Sequence, residues 1–280
     1  MKSIVKSVVS RIARNDAVWR FCNDSLSRLL WLLNYQRRIY LGNEENLIIA
    51  QAIDEVIPDL EVRHGPFAGL QYPEKASYGS TLFPKLLGSY EAEIHLALEQ
   101  VCRNQYDRVI DIGCAEGYYA VGLALRIPSA HVYGFDINEK ALAMCGDLAE
   151  FNDVSRRITL YKECTPEQLA DLVQGKTFII ADCEGCETEI FSDDFVPKLS
   201  NCDLLIETHD CLDMSITNTL RKRFSSTHKI EVIKSVDDIQ KAHSYKYPEI
   251  ERFDLDIKKV LLSERPTYQE WFFMTPLTGG

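Results

Sequence analysis

The sequence predicts an α/β fold: a Rossmann-like sheet of about seven mostly parallel strands with helices on both faces, preceded by an N-terminal helical extension. Two observations predict it. From about residue 107 short apolar runs alternate with stretches of helical periodicity, the pattern of a parallel sheet built with crossover helices. A glycine-bearing turn follows the first of these runs, at the place where open parallel sheets bind their ligands.

In order, the runs are "RVIDIG", a helix from about 117, "AHVYGFDI", a helix from about 138, "RITLYK", a helix near 166–174, "TFIIAD", a helix near 185–192, and "CDLLIETH". A helix to about 224, a strand "KIEVIKSV", a polar and aromatic stretch through 265 and a closing strand "EWFFMTPL" complete the sheet. Ahead of it, "RHGPFAGLQYPEKASYGSTLFPKLLGSYEAEIHLALEQV" opens with turn residues and short extended pieces and turns helical from about Tyr90. This lead-in segment is expected to lie over the carboxyl edge of the sheet. No repeat or low-complexity linker marks a boundary, so periodicity divides the chain into an extension with lead-in, 1–88, and a sheet domain, 89–280.

With 280 residues and a formal charge of −11, the chain can bury a full core but offers no basic surface for a general nucleic-acid binder. Charge is uneven: residues 1–40 carry eight Lys/Arg against Asp16 and Asp24, a net of +6, which leaves −17 for the remainder. Apolar residues recur there at helical spacing. The longest uncharged apolar run, "LLWLL" at 29–33, is far too short to cross a bilayer, and Lys6 and Arg11 interrupt any signal core, so a cytoplasmic protein is expected. The preferred reading of 1–40 is a helical arm packed on the main domain or on a second subunit, as in a homo-oligomer. The other is peripheral attachment to the anionic inner face of a membrane. The nine cysteines are expected to be reduced thiols.

The first turn reads "DRVIDIGCAEGYYAVGLA": Asp111 ends the strand, Gly113 allows the tight turn and Gly117 opens the helix. The dinucleotide pattern G-x-G-x-x-G fails here, because Ala115 and Tyr118 stand at its second and third positions. An acidic strand end repels a pyrophosphate but suits a ligand bearing an ammonium and a sulfonium. S-adenosylmethionine is such a ligand. Nineteen residues after Gly117, Asp136 closes the second strand, where a carboxylate accepts hydrogen bonds from both ribose hydroxyls, with Ile137 beside it. Glu163 and Cys164 follow the third strand, near the expected adenine edge. Cys114, Ala115 and Glu116 belong to the same loop, and Tyr90 and Glu91 are expected to reach the cofactor from the lead-in segment. Together these residues predict the class I methyltransferase form of the fold.

"VIDIGCAEGYYAVGLA", "FIIADCEGCETEIF" and "DLLIETHD" together resemble the FkbM-like methyltransferases, whose fourth-strand segment runs into D-x-E-G-x-E. The likeness covers about residues 105–210, with a looser one in "GSYEAEIH". Asp182, Glu184, Gly185 and Glu187 are the matching residues; Cys183 and Cys186 occupy variable positions. The resemblance implies O-methylation of a hydroxyl, often on a sugar or another polar natural product, and leaves the acceptor open. The long region 1–88 departs from a minimal family domain.

The C-x-x-C pair Cys183 and Cys186 invites a dithiol or zinc reading, but three neighbouring acids oppose a thiolate and knuckle spacing is missing, so small core-filling side chains are expected. The acids are harder to set aside. Asp182 closes the fourth strand, and Glu207 and His209 close the fifth; if a metal is held, these three would bind it, and oxygen ligands with one imidazole suit Mg²⁺ or Mn²⁺. His209 is the first choice of general base, Asp182 the second, with Glu184 beside them. Glu187 is expected to cap the next helix, and His64 and Lys85 to line the acceptor pocket. The function expected is O-methyl transfer from S-adenosylmethionine to a hydroxyl of a sugar, glycan, glycolipid precursor or related polar metabolite. The alternatives are a divalent-metal-assisted sugar O-methyltransferase and a non-catalytic cofactor-binding assembly subunit.

Overall fold

The computed structural model describes residues 33, 36–37, 40, 42–264 and 269–277. The chain divides into two compact units, Met1–Gln51 and Ala52–Gly280. In the first, residues 42–51 are helical. Apart from residues 33, 36, 37 and 40, the basic segment 1–40 and both expectations attached to it lie outside the described residues. No helix among the described residues is long and apolar enough to cross a membrane.

The second unit is built on a seven-stranded sheet: β1 (Arg108–Ile112), β2 (His131–Phe135), β3 (Ile158–Tyr161), β4 (Thr177–Ala181), β5 (Asp203–Thr208), β6 (His228–Lys234) and β7 (Glu270–Pro276), in the order β3-β2-β1-β4-β5-β7-β6. The first five strands run parallel, and β7 enters antiparallel between β5 and β6. β4, in the middle, is buried at every position, as expected for a strand covered on both faces. This is the mostly parallel, Rossmann-like arrangement that the β-α alternation predicts.

Register is what brings the site together. Ile112 pairs with Phe135 and with Ala181, and Ala181 with Ile206. The residues that follow these, Gly113, Asp136, Asp182 and Glu207, therefore emerge side by side at the carboxyl edge.

The helices are α1 (Leu82–Leu87), α2 (His95–Arg103), α3 (Tyr118–Arg126), α4 (Glu139–Phe151), α5 (Pro166–Leu172), α6 (Glu187–Ile190), α7 (Ile216–Phe224), α8 (Asp238–Ser244) and α9 (Leu255–Leu261). Their starts follow local capping chemistry. Asn138 accepts from two amides at the start of α4, and Thr165 forms a capping box with Gln168 ahead of Pro166 in α5.

Three segments differ from the sequence expectation. α1 lies in a stretch expected to be turns and extended pieces; α2 starts at His95, after a 3₁₀ turn at Ala92–Ile94, rather than at Tyr90. α8 and α9 fill the polar stretch before 265, each capped by an aspartate, Asp237 and Asp254, whose helix signal the surrounding polar residues obscure. The lead-in segment is also in the same compact unit as the sheet, so contacts draw the boundary at Ala52 rather than after residue 88. Phe67 shows why: its ring packs edge-on to Tyr118 at 5.2 Å, and a Cβ on Gly122 would sit 2.5 Å from it, so α3 needs a glycine there.

Candidate active site

At the carboxyl edge a cavity of about 890 Å³ opens between the strand ends and the lead-in segment. Its first wall is the β1 loop. Gly113 has φ +87°, and a Cβ there would lie 1.8 Å from the Asp182 carbonyl oxygen, so only glycine allows the two strand ends to touch. The amides of Gly113 and Cys114 both donate to the Phe135 carbonyl, which ties this loop to the end of β2.

Asp136 is held from both sides, accepting from the amides of Ala115 (3.0 Å) and Asn138 (2.8 Å), a geometry that fixes its carboxylate at the cavity wall. Ile137, 80 % exposed, and Cys164, Thr165 and Pro166 add partly apolar lining beyond the ends of β2 and β3. Asp111 lies behind the loop, 2 % exposed; burial pushes its carboxyl up to about 8, with the charges of Asp182 and Asp136 adding to the effect. A ligand ammonium near this group would favour its ionised form.

From the lead-in segment, Lys85 forms a buried ion pair with Glu116. Glu116 also accepts from Ser77 (2.8 Å), Tyr72 (3.3 Å) and the Tyr78 amide (3.3 Å). Burial alone would raise its carboxyl, but Lys85 and Ser77 hold it below the ordinary carboxylate value. Glu91 is buried and accepts from the Tyr119 hydroxyl. Glu91, Ala115 and Glu184 all line the cavity, and all three hold a left-handed φ near +50° although none is glycine. Strained backbone of this kind persists where surrounding structure enforces it, and concentrates at functional sites.

The opposite end is acidic. His209 is fully buried; its Nδ1 hydrogen-bonds to Glu187 Oε1, and its Nε2 lies 3.3 Å from Asp182 Oδ1, 3.5 Å from Glu207 Oε2 and 3.6 Å from Glu184 Oε2. Burial by itself would lower the imidazole pKa, but the charges of Asp182 and Glu187, with the Glu187 hydrogen bond, outweigh it and push it up to about 10. Nε2 and Asp182 Oδ1 nevertheless make no hydrogen bond. Nearby, Glu264 is buried against Lys241, and burial, with Glu93 and Glu91 adding, pushes its carboxyl up to about 8 against the pull of Lys241.

Most residues singled out in the sequence meet at this cavity: Tyr90, Glu91, Gly113 to Glu116, Asp136, Ile137, Cys164, Asp182, Glu184 and Glu207 line it. Asp111, Gly117 and His209 do not line it, and Glu163 faces solvent. The carboxylate of Glu116 is occupied by the lead-in segment rather than open to a cofactor. His209, expected as the base, is behind the wall and reaches the cavity only through Asp182. Glu187 braces His209 instead of capping α6, whose start has no side-chain cap. His64 is 3.0 Å from Glu249 and outside the lining, and Lys85, though in the lining, is committed to Glu116.

Cys183 and Cys186 line the cavity as free thiols, with Cys186 Sγ donating to the Cys183 carbonyl at 2.7 Å. Glu264 and Gln269 are not legible as site residues, because only the antiparallel insertion of β7 beside β5 brings the chain around them to the cavity; Tyr118, the first residue of α3, also lines it.

Residues 104–242 match the protein family described as "Methyltransferase domain". Among curated proteins, the ribosomal protein L11 methyltransferase of Hahella chejuensis is 41 % identical over 70 residues, 25 % of this chain and 24 % of that protein. The release factor glutamine methyltransferase of Deinococcus radiodurans is 39 % identical over 56 residues, 20 % of each. The chain thus spans about a fifth to a quarter of the curated relatives it matches. Among solved structures, a precorrin-6y C5,15-methyltransferase from Geobacter metallireducens aligns at TM-score 0.43 with 19 % identity over 65 % of this chain and 88 % of that one. An rRNA methylase from Streptococcus thermophilus aligns at 0.46 with 14 % identity over 66 % and 97 %. The matched region is a class I methyltransferase domain, and S-adenosylmethionine is the cofactor such a domain takes.

Proposed function

We propose that the chain transfers the methyl group of S-adenosylmethionine to a hydroxyl of a sugar, glycan, glycolipid precursor or related polar metabolite, in the manner of the FkbM-like enzymes whose D-x-E-G-x-E segment Asp182 to Glu187 matches. One observation carries this reading. The end of the cavity away from Ile137 and Pro166 is lined by hydrogen-bonding groups, Asp182, Glu184, Glu207, Glu264 and Gln269, four of them carboxylic acids. Such a wall accepts hydrogen bonds from a polyhydroxylated acceptor and disfavours a phosphate backbone.

The cofactor is read as lying with its ribose on Asp136, its purine against Ile137 and Pro166, and its amino-acid end near Asp111. The acceptor oxygen attacks the methyl carbon in line; the new O–C bond forms as the C–S bond breaks, and its electron pair stays on sulfur. The acceptor proton passes to Asp182, whose charge is steadied by the imidazole behind it, with His209 as a positioning residue held by Glu187. Holding the two reactants in line contributes most of the acceleration, because the sulfonium is already a good leaving group.

Calorimetry with S-adenosylmethionine and its demethylated product tests the first step, and binding of neither would sink the reading. Transfer of labelled methyl to a panel of sugar nucleotides and lipid-linked glycans, with ribosomal protein and rRNA as competitors, tests the second. Label appearing only on protein or RNA would replace the hydroxyl acceptor.

A further inference from the structure

We propose that Asp182, Glu207 and His209, with Glu184 at the open side, form a binding site for one hard divalent cation, Mg²⁺ or Mn²⁺, at the acceptor end of the cavity. The three buried-side ligand atoms lie within 4.8 Å of one another. An octahedral hard cation with bonds of about 2.1 Å separates neighbouring ligands by about 3 Å. The 3.3 Å and 3.5 Å from Nε2 to Asp182 and Glu207 need to contract by only a few tenths to meet that geometry. Glu184, 78 % exposed at its side chain and 3.6 Å from the same nitrogen, stands where a fourth ligand would close the site from solvent.

The cluster is more than a group of acids. His209 is fully buried, and its Nε2, aimed among these carboxylates, makes no hydrogen bond; neither does Asp182 Oδ1. Buried polar atoms without partners are rare and mark a missing proton, water or ion. The other ring nitrogen is already engaged: Glu187, fully buried, hydrogen-bonds to Nδ1 and is itself steadied by the Gly185 amide at 3.3 Å. A carboxylate that fixes the far nitrogen is what orients a metal-binding imidazole and strengthens it as a ligand.

Charge points the same way. Even with a protonated ring, Asp182, Glu184 and Glu187 around one imidazole leave two negative charges. Among the described residues no Lys or Arg pairs with Asp182, Glu184 or Glu187. Three oxygens and one imidazole favour a hard cation over zinc, which the adjacent thiols would attract only if they turned toward the site, and Cys186 is turned to a backbone carbonyl instead.

The role of the cation rests on the hydroxyl-acceptor reading above: bound to the acceptor oxygen it lowers the pKa of the hydroxyl whose proton Asp182 receives. The site itself does not rest on that reading. Its test is a titration of the chelator-treated 280-residue chain with Mn²⁺ alone, read by electron paramagnetic resonance and by the rise in unfolding temperature. The expected result is one Mn²⁺ per chain, competed by Mg²⁺, with affinity falling about 10- to 100-fold in Asp182→Asn, Glu207→Gln and the bracing variant Glu187→Gln. Binding should be unchanged in Asp256→Asn, an exposed acid on α9.

Should Asp182→Asn or Glu187→Gln fail to fold, Glu184→Gln, at an exposed position, is expected to weaken Mn²⁺ by several-fold on its own. No saturable Mn²⁺ binding, or equal binding by wild type and all four site variants, overturns the proposal even where methyl transfer to a sugar is found. Stoichiometric Mn²⁺ binding without transfer to any hydroxyl upholds the site and removes the acceptor reading.

Discussion

Two buried ionic clusters face each other across the cavity, and they are satisfied to opposite degrees. Around Glu116 every oxygen has a donor, from Lys85, Ser77, Tyr72 or the Tyr78 amide, and Lys85 also lies 5.0 Å from the centre of the Tyr90 ring. Around His209, Nε2, Asp182 Oδ1 and Glu187 Oε2 have no hydrogen bond. A completed network holds structure together, whereas an incomplete one is costly and persists where function retains it. The first cluster therefore fastens the lead-in segment to the β1 loop, and the second is the one we propose to bind a cation.

The largest effect expected from this contrast is on the completed side. Lys85→Met leaves Glu116 buried without its cation, and urea unfolding should show a loss of about 3–5 kcal/mol, toward the lower end because three neutral donors remain. A loss under about 1 kcal/mol would mean that the lead-in segment is held mainly by Phe67 and its apolar neighbours. On the incomplete side the opposite pattern is expected. Asp182→Asn should leave stability unchanged or raise it by on the order of 1 kcal/mol, since it relieves like-charge crowding, while methyl transfer falls by about 10² or more. If the variant instead unfolds and keeps its specific activity in the folded fraction, the two clusters are alike and the contrast is wrong.

Glu264 offers a test by pH. Its folded pKa of about 8 lies above the ordinary 4.5, so its stabilisation is full below about 4.5 and is lost as pH rises through 8. Unfolding midpoints measured from pH 5 to 8.5 should fall in the wild type and fall less in Glu264→Gln, by on the order of 1 kcal/mol. Parallel curves would place the titrating group elsewhere. The smallest effect belongs to the thiols: the double variant Cys183→Ala, Cys186→Ala should cost about 1 kcal/mol or less in stability and leave calorimetric cofactor affinity unchanged. Loss of that affinity would make the thiols part of the site.

The ease with which each part could be read follows from where its information lies. Gly113 is legible because a turn after an apolar strand needs a positive φ, and Asp136 because its spacing from that turn is set by one helix and one strand. α8 and α9 were obscured because their caps sit in a run of polar and aromatic residues without a clear apolar stripe. Glu187 departs from its expected role for a different reason: a carboxylate at a helix start satisfies the capping pattern equally well, and nothing local reveals an imidazole waiting 22 residues further on. Tyr118 shows the same limit, since as a helix residue it reads as core, yet its hydroxyl is buried at the cavity without a hydrogen bond.

By itself the sequence determined the α/β alternation, the order of the first five strands along the chain, the glycine turn and the acids that close β1, β2, β4 and β5, because period, turn chemistry and strand-end position are local properties. Only the tertiary structure decided which of those acids would share an imidazole, that Glu116 in the β1 loop would be neutralised by Lys85, and that His209 would stand behind the wall rather than in it. Those outcomes depend on burial and on distances between residues remote in the chain, and the strength of a charge interaction changes several-fold with both. The same Asp or Glu becomes a fastening or a binding group according to the neighbour that folding brings to it.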